Sequence, residues 1–324
     1  MSVSLEAIKK PIEKELNAFE VMFKQSMKTR VPLLDIVLNY ILKRKGKQIR
    51  PLFVMYTAKL FGDINIRTYR GASLVELLHT ATLVHDDVVD ESTLRRGRPT
   101  ANESFGNPAS VLVGDFLYSR AFQMMVDAND MRVMEILSQA TNVIAEGEVM
   151  QLMNMHDASL DEAGYLRVIR SKTAKLFEAS TRLAAVLAQS SAATETACAD
   201  YGQALGTAFQ VIDDVLDYDG DATLMGKNLG DDLREGKATL PLIVAMQRGN
   251  DAERTLIATA IEQGDVTALG RIADIVRQTG AMQATREAAS AQAQQAIDAL
   301  QPLPEGDHKS ALYTLAEQLL ARQR

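Results

Sequence analysis

The chain has 324 residues, 47% of them hydrophobic, with 35 basic against 42 acidic side chains and a formal net charge of −7. An acidic surplus argues against the broad basic surface that grips nucleic acid, and a single cysteine, Cys198, excludes an intramolecular disulfide framework and any multi-cysteine zinc site. The opening MSVSLEAIKKPIEKEL lacks the apolar core of a signal peptide and no apolar run approaches the span of a bilayer, so the chain is expected to be cytoplasmic.

Apolar residues recur at three- and four-residue steps, while alternating β-branched segments are hard to find, so the predicted class is all-α. Helices are predicted over 4–28, 31–45, 51–61, 66–92, 108–128, 131–155, 161–190, 194–219, 237–248, 251–263, 266–279, 283–300 and 309–322. Asn250 with Glu253 reads as a capping box behind Gly249, and Pro302, Pro304 and Gly306 interrupt the chain before the last helix. The Ala/Gln-rich stretch 283–300 keeps helical spacing. No Ser-, Gly- or Pro-rich linker appears, so residues 1–324 are expected to form one domain, a single large helical bundle.

Two acidic clusters carry most of the functional information: Asp86-Asp87-Val-Val-Asp90 and Asp213-Asp214-Val-Leu-Asp217. A lone D-D-x-x-D string is equally at home on a solvated face, but both copies sit in apolar flanks, and buried carboxylates need positive partners. Positions i and i+4 share a helix face, which aligns Asp86 with Asp90 and Asp213 with Asp217. His79 extends the first stripe and Gln210 the second. Hard oxygen donors at this spacing suit Mg²⁺, which bridges carboxylates to substrate phosphates. An EF-hand at Asp217-Tyr-Asp219-Gly-Asp221 fails because its sixth and twelfth positions are Ala222 and Asn228.

Cations that would hold the phosphate charge occur at four places. Gly46-Lys47-Gln48-Ile49-Arg50-Pro51 lies between two helices, where backbone N–H groups can join Lys47 and Arg50 around an anion. Arg95 and Arg96 follow the first cluster. Lys172 and Thr173 lie inside a helix among core residues, and Lys227 and Lys237 bracket Gly230-Asp231-Asp232, read as a mobile loop.

The segments ELLHTATLVHDDVVDESTLRRGRPTA, KTAKLFEAS, GTAFQVIDDVLDYDGD and GDDLREGKATLPL, in this order, resemble the trans-prenyl diphosphate synthases; SVLVGDFLYSRAFQMM and NVIAEGEVMQLMN are most like the long-chain bacterial members that supply quinone side chains. The resemblance covers nearly the whole chain. It implies an isoprenoid-synthase bundle around a central cavity, a homodimer, and repeated condensation of isopentenyl diphosphate onto an allylic prenyl diphosphate such as farnesyl diphosphate. Asp86, Asp87, Asp90, Asp213, Asp214, Asp217, Lys172 and Lys227 would form the catalytic set, with Mg²⁺ on Asp86, Asp90, Asp213 and Asp217. Lys47, Arg50, His79 and Arg96 match the family's isopentenyl diphosphate positions. Arg95, Lys172, Thr173, Gln210, Lys227 and Lys237 match those facing the allylic diphosphate. One departure is visible: the family commonly has Gly-Gly-Lys-Arg where this chain has Lys45-Gly46-Lys47-Gln48.

Product length should follow from what the growing tail meets on the helix before Asp86. Ala81 and Thr82 are small where short-chain members of the resembled family carry an aromatic, which implies a long product, the C40 octaprenyl chain. Each added five-carbon unit contributes roughly 3–4 kcal/mol on burial, so release should be slow, with transient membrane contact at that step. Phe122, Met124 and Met125 are candidates for the tunnel floor. Geranylgeranyl or solanesyl diphosphate are the alternative products, and a non-catalytic partner subunit is disfavoured by the intact motifs. A class I terpene cyclase would carry an Asn/Asp-Ser-Glu second motif. A ferritin-like bundle is suggested by Glu76–His79 and Glu305–His308, but Pro302, Pro304 and Gly306 leave the second pair without a helix to aim both ligands.

Overall fold

In the computed structural model, which describes residues 4–43, 46–95, 97–219 and 230–321, the order of elements follows the apolar periodicity. The helices are α1 (Leu5–Lys9), α2 (Glu13–Ser26), α3 (Pro32–Leu42), α4 (Ile49–Lys59), α5 (Ile66–Val89), α6 (Ala101–Phe105), α7 (Asn107–Asp127), α8 (Met131–Asn154) and α9 (Glu162–Ile169). A π-helical turn, Arg170–Ala174, leads into α10 (Lys175–Leu187). Then come α11 (Ala192–Asp219), α12 (Asp231–Arg234), α13 (Leu240–Arg248), α14 (Asp251–Gln263), α15 (Leu269–Gln278), α16 (Ala281–Ala299) and α17 (Asp307–Ala321).

The structure departs from the expected elements at several points, and α6 is a short helix outside the expected set. Pro11, which has no N–H to give, splits the predicted helix 4–28 at a 3₁₀ turn, Lys10–Ile12. Glu91, with a φ of 50°, ends α5, and a two-residue hairpin, β1 (Leu94–Arg95) with β2 (Arg98–Pro99), replaces the start of the expected loop. Residues 231–234 form a helix instead of the loop expected there. The capping box at Asn250 and Glu253 forms as read, each side chain taking up the other's backbone N–H at 3.0 and 2.9 Å.

The chain divides into two compact units, each assembled from separate stretches. The first comprises Met1–Thr141, Leu176–Gly202 and Ala299–Leu315. Its centre is α5, which packs on α2, α4 and α7 and is buried on every face over residues 71–78 apart from Glu76, so it reads as a core helix with no amphipathic stripe. Phe19, Leu52, Val54, Met55 and Leu117 are almost fully buried around it, each contributing about 1.5–3 kcal/mol by removal from water. The second unit comprises Asn142–Lys175, Gln203–Asp298 and Ala316–Arg324. There α13 packs on α9, α14 and α15, and α16 buries Ala281, Thr285, Ala289, Ala293 and Ala296 along one stripe, the core face that its helical spacing implies.

Candidate active site

The first aspartate row lies at the end of α5. Asp86 belongs to the last turn and Asp90 is the C-cap residue, with the Asp90 N–H donating to the Asp86 carbonyl at 2.8 Å. The two side chains therefore stand one above the other, both half-buried. Asp87 points elsewhere. It is buried, and Arg95, brought back by the hairpin, donates Nε and Nη2 to its Oδ1 at 2.8 and 2.7 Å.

The second row, on α11 in the second unit, has the same helical spacing but a different burial. Asp213 is half-buried and Asp217 fully buried on one face, where Asp217 Oδ2 accepts the Asp232 N–H at 3.3 Å. Asp214 is turned inward and has donors on both oxygens: Gln210 Nε2 at 2.8 Å on Oδ1 and the Tyr165 hydroxyl at 2.5 Å on Oδ2. Burial first, and then the charges of Asp232 and Asp213, push its carboxyl up to about 8 against the pull of those hydrogen bonds. Burial thus favours the uncharged form of Asp214, held by its two donors.

Thr173 extends the network by donating to Gln210 Oε1 at 2.9 Å. It lies in the π turn, whose wider winding brings Lys172 beside Glu148 of α8 at 2.6 Å. Gly147 makes that approach possible, since a Cβ there would lie 2.7 Å from the Lys172 backbone nitrogen. Lys237 follows the turn after α12 and pairs with Glu235.

In the first unit, Arg50 Nη1 donates to His79 Nε2 at 2.9 Å, which requires the neutral ring with its proton on Nδ1. The guanidinium also lies over the Phe177 ring at 4.5 Å from its centroid. Burial lowers its pKa to about 10, opposed by the charge of Glu76. Arg50 remains a cation at neutral pH. Lys47 is exposed, and Gln48 caps α4 with a φ of 51°, a conformation that glycine adopts more readily.

Of the residues read as setting chain length, Ala81 and Met125 are fully buried and Thr82 and Met124 half-buried, while Phe122 is 46% exposed on the outer face of α7. Arg96 and Lys227 lie outside the described residues. The sequence reading missed Tyr165, Phe177, Glu148 and Gly147, which give no local signal because their partners are far away in the chain. Removing the Tyr165 hydroxyl should leave a buried acceptor unmet: Tyr165→Phe is expected to cost about 1–3 kcal/mol of stability, measured by urea denaturation.

The sequence pattern of the polyprenyl synthetase family matches residues 31–278. The chain belongs to the polyprenyl synthetase family. An octaprenyl diphosphate synthase of Haemophilus influenzae is 46% identical over 315 residues, covering 97% of this chain and 96% of that protein. Among solved structures, a polyprenyl synthase from Caulobacter crescentus CB15, complexed with calcium and isoprenyl diphosphate, is 41% identical with a TM-score of 0.95, covering 100% of this chain and 99% of the other. A decaprenyl diphosphate synthase from Rhodobacter capsulatus is also 41% identical, with a TM-score of 0.94 and coverage of 99% and 100%.

The donor set of this polyprenyl synthetase chain fits a divalent metal of the hard kind. Among the described residues, no three His, Cys, Asp or Glu side chains close into a cage around one ion. Separate aspartates instead suit an ion that keeps waters and completes its shell with substrate phosphate, as Mg²⁺ does. Among the same residues no helix is long and apolar enough to cross a membrane.

Proposed function

We propose that the chain is a long-chain trans-prenyl diphosphate synthase, which condenses isopentenyl diphosphate repeatedly onto an allylic diphosphate, farnesyl diphosphate first, and yields octaprenyl diphosphate for quinone side chains. The observation that carries this reading is the matched helical spacing of the two aspartate motifs. In each, the first and last aspartates lie one turn apart on one face, and the buried middle one bonds to side chains away from that face, Arg95 in the first motif and Tyr165 and Gln210 in the second.

Asp86, Asp90, Asp213 and Asp217 would hold Mg²⁺, whose charge stabilises the departing diphosphate when bound. Lys172, Thr173, Gln210, Lys227, Lys237 and Arg95 hold the allylic diphosphate, with Glu148 keeping Lys172 extended until the ligand arrives. Lys47, Arg50, His79 and Arg96 hold isopentenyl diphosphate and bring its double bond to the allylic carbon. Once the carbon–oxygen bond of the allylic substrate ionises, that double bond attacks the cation, and the proton lost from the adjacent carbon passes to the released diphosphate. Orientation and charge carry the catalysis, so no protein nucleophile is required.

The unit of function is the whole of residues 1–324, a reading supported by the way the chain passes repeatedly between the two compact units. It acts as a cytoplasmic homodimer that meets the membrane transiently when product leaves. Purified protein with Mg²⁺, farnesyl diphosphate and labelled isopentenyl diphosphate should give a C40 product on chromatographic sizing. A longer product would align the chain with its decaprenyl-forming relative instead. No consumption of isopentenyl diphosphate would overturn the reading.

A further inference from the structure

His156 has no part in the chemistry above, yet its backbone is unusual. It lies just past the end of α8 with a φ of 63°, the left-handed region that a residue with a Cβ enters at a cost. Its N–H donates to the Gly236 carbonyl at 2.8 Å, and its Nδ1 donates to the Ile261 carbonyl at 3.1 Å. A carbonyl only accepts, so the proton stays on Nδ1 in both the neutral and the cationic ring.

The imidazole occupies space that two glycines leave open. A Cβ on Gly236, whose φ is 73°, would lie 2.4 Å from Nδ1. One on Gly264, at the end of α14, would lie 3.5 Å from the ring and 2.6 Å from the Arg234 carbonyl. Three segments therefore meet at this side chain: the end of α8, the turn behind α12 and the last turn of α14. The middle one leads to the second aspartate row. Lys237, next after Gly236, donates its N–H to the Asp232 carbonyl at 2.9 Å, and the Asp232 N–H reaches Asp217 Oδ2 at 3.3 Å.

We propose that His156 is a positioning residue for the second aspartate row: by pinning the Gly236 turn it sets where Asp232 and Lys237 stand relative to Asp217, and so governs the grip on divalent metal and allylic diphosphate while leaving isopentenyl diphosphate binding unchanged. The proposal rests on the prenyl-transfer reading for its kinetic consequences, and on the three-way contact alone for its structural one.

Two measurements on the full-length protein test it. In steady-state assays, His156→Ala should raise the Mg²⁺ half-saturation and the KM for farnesyl diphosphate about tenfold, the low end of the effect of groups that orient a metal's ligands, with the KM for isopentenyl diphosphate unchanged. His156→Asn, which tolerates left-handed backbone and keeps an N–H donor, should recover much of the loss. In hydrogen exchange read by mass spectrometry, His156→Ala should speed exchange across 231–237 and leave α5 as in the parent. Equal shifts in both substrate KM values, or unaltered exchange over 231–237, would overturn the proposal. Wild-type protein that consumes no isopentenyl diphosphate would sink the prenyl-transfer reading separately, and the exchange measurement would still decide the role of His156.

Discussion

Asp86→Ala should lower kcat/KM by at least about 10³-fold, a loss of roughly 4 kcal/mol in transition-state stabilisation. Asp86 is one of the half-buried pair one turn apart at the end of α5, so under the proposed function its loss removes a metal position without opening the core. Folding, followed by circular dichroism, should be unchanged, and isopentenyl diphosphate should still bind in calorimetry because Arg50 and His79, the residues proposed to hold it, are untouched. The contrast is Asp87→Asn. Asp87 is buried against Arg95, and weakening that pair should appear first as lost stability. If the two variants lose turnover equally while both remain stable, the distinction between the half-buried and the buried aspartate has no functional meaning.

Ala81→Phe should shorten the product to geranylgeranyl length or below. Ala81 is fully buried on α5, one turn before the first motif, and α5 packs on α7, which carries Met125. If the tail grows past Ala81, a phenyl ring there blocks its path. If no path exists, the ring must be forced into filled space, at a cost of about 1–3 kcal/mol. Product sizing together with thermal denaturation separates these outcomes: shorter chains with little loss of stability support the path, and full-length product from a destabilised enzyme rejects it. Met125→Ala tests the other end. A longer product would identify Met125 as the floor, whereas a stability loss of about 2–5 kcal/mol with unchanged length would mark it as ordinary core.

The helices were legible because their burial repeats with the period of the helix. The apolar steps of α7 and α8 place their ends within about a residue of where the sequence puts them, and the Asn250 and Glu253 pair announces α14 by chemistry that acts within one turn. The alignment of Asp86 with Asp90 is likewise a local consequence of helical geometry. What separates Asp87 and Asp214 from their neighbours is not local. Asp214 is defined by Tyr165, far upstream, and Asp87 by an arginine that returns only because Glu91 and Gly97 take left-handed backbone and fold the hairpin. The helix expected over 161–190 concealed its π turn for a related reason, because RSKTAK has the same apolar steps whether or not the winding widens.

That widened turn has a consequence for everything after it. A regular helix advances about 100° per residue, so the wider winding at Arg170–Ala174 sets the phase with which α10 begins. Phe177 reaches the Arg50 guanidinium with the phase this turn imposes. Deleting one residue from the turn would shift the phase at the start of α10 by about a quarter of a revolution, disturbing Lys172 and Thr173 together with the register of the helix that carries Phe177.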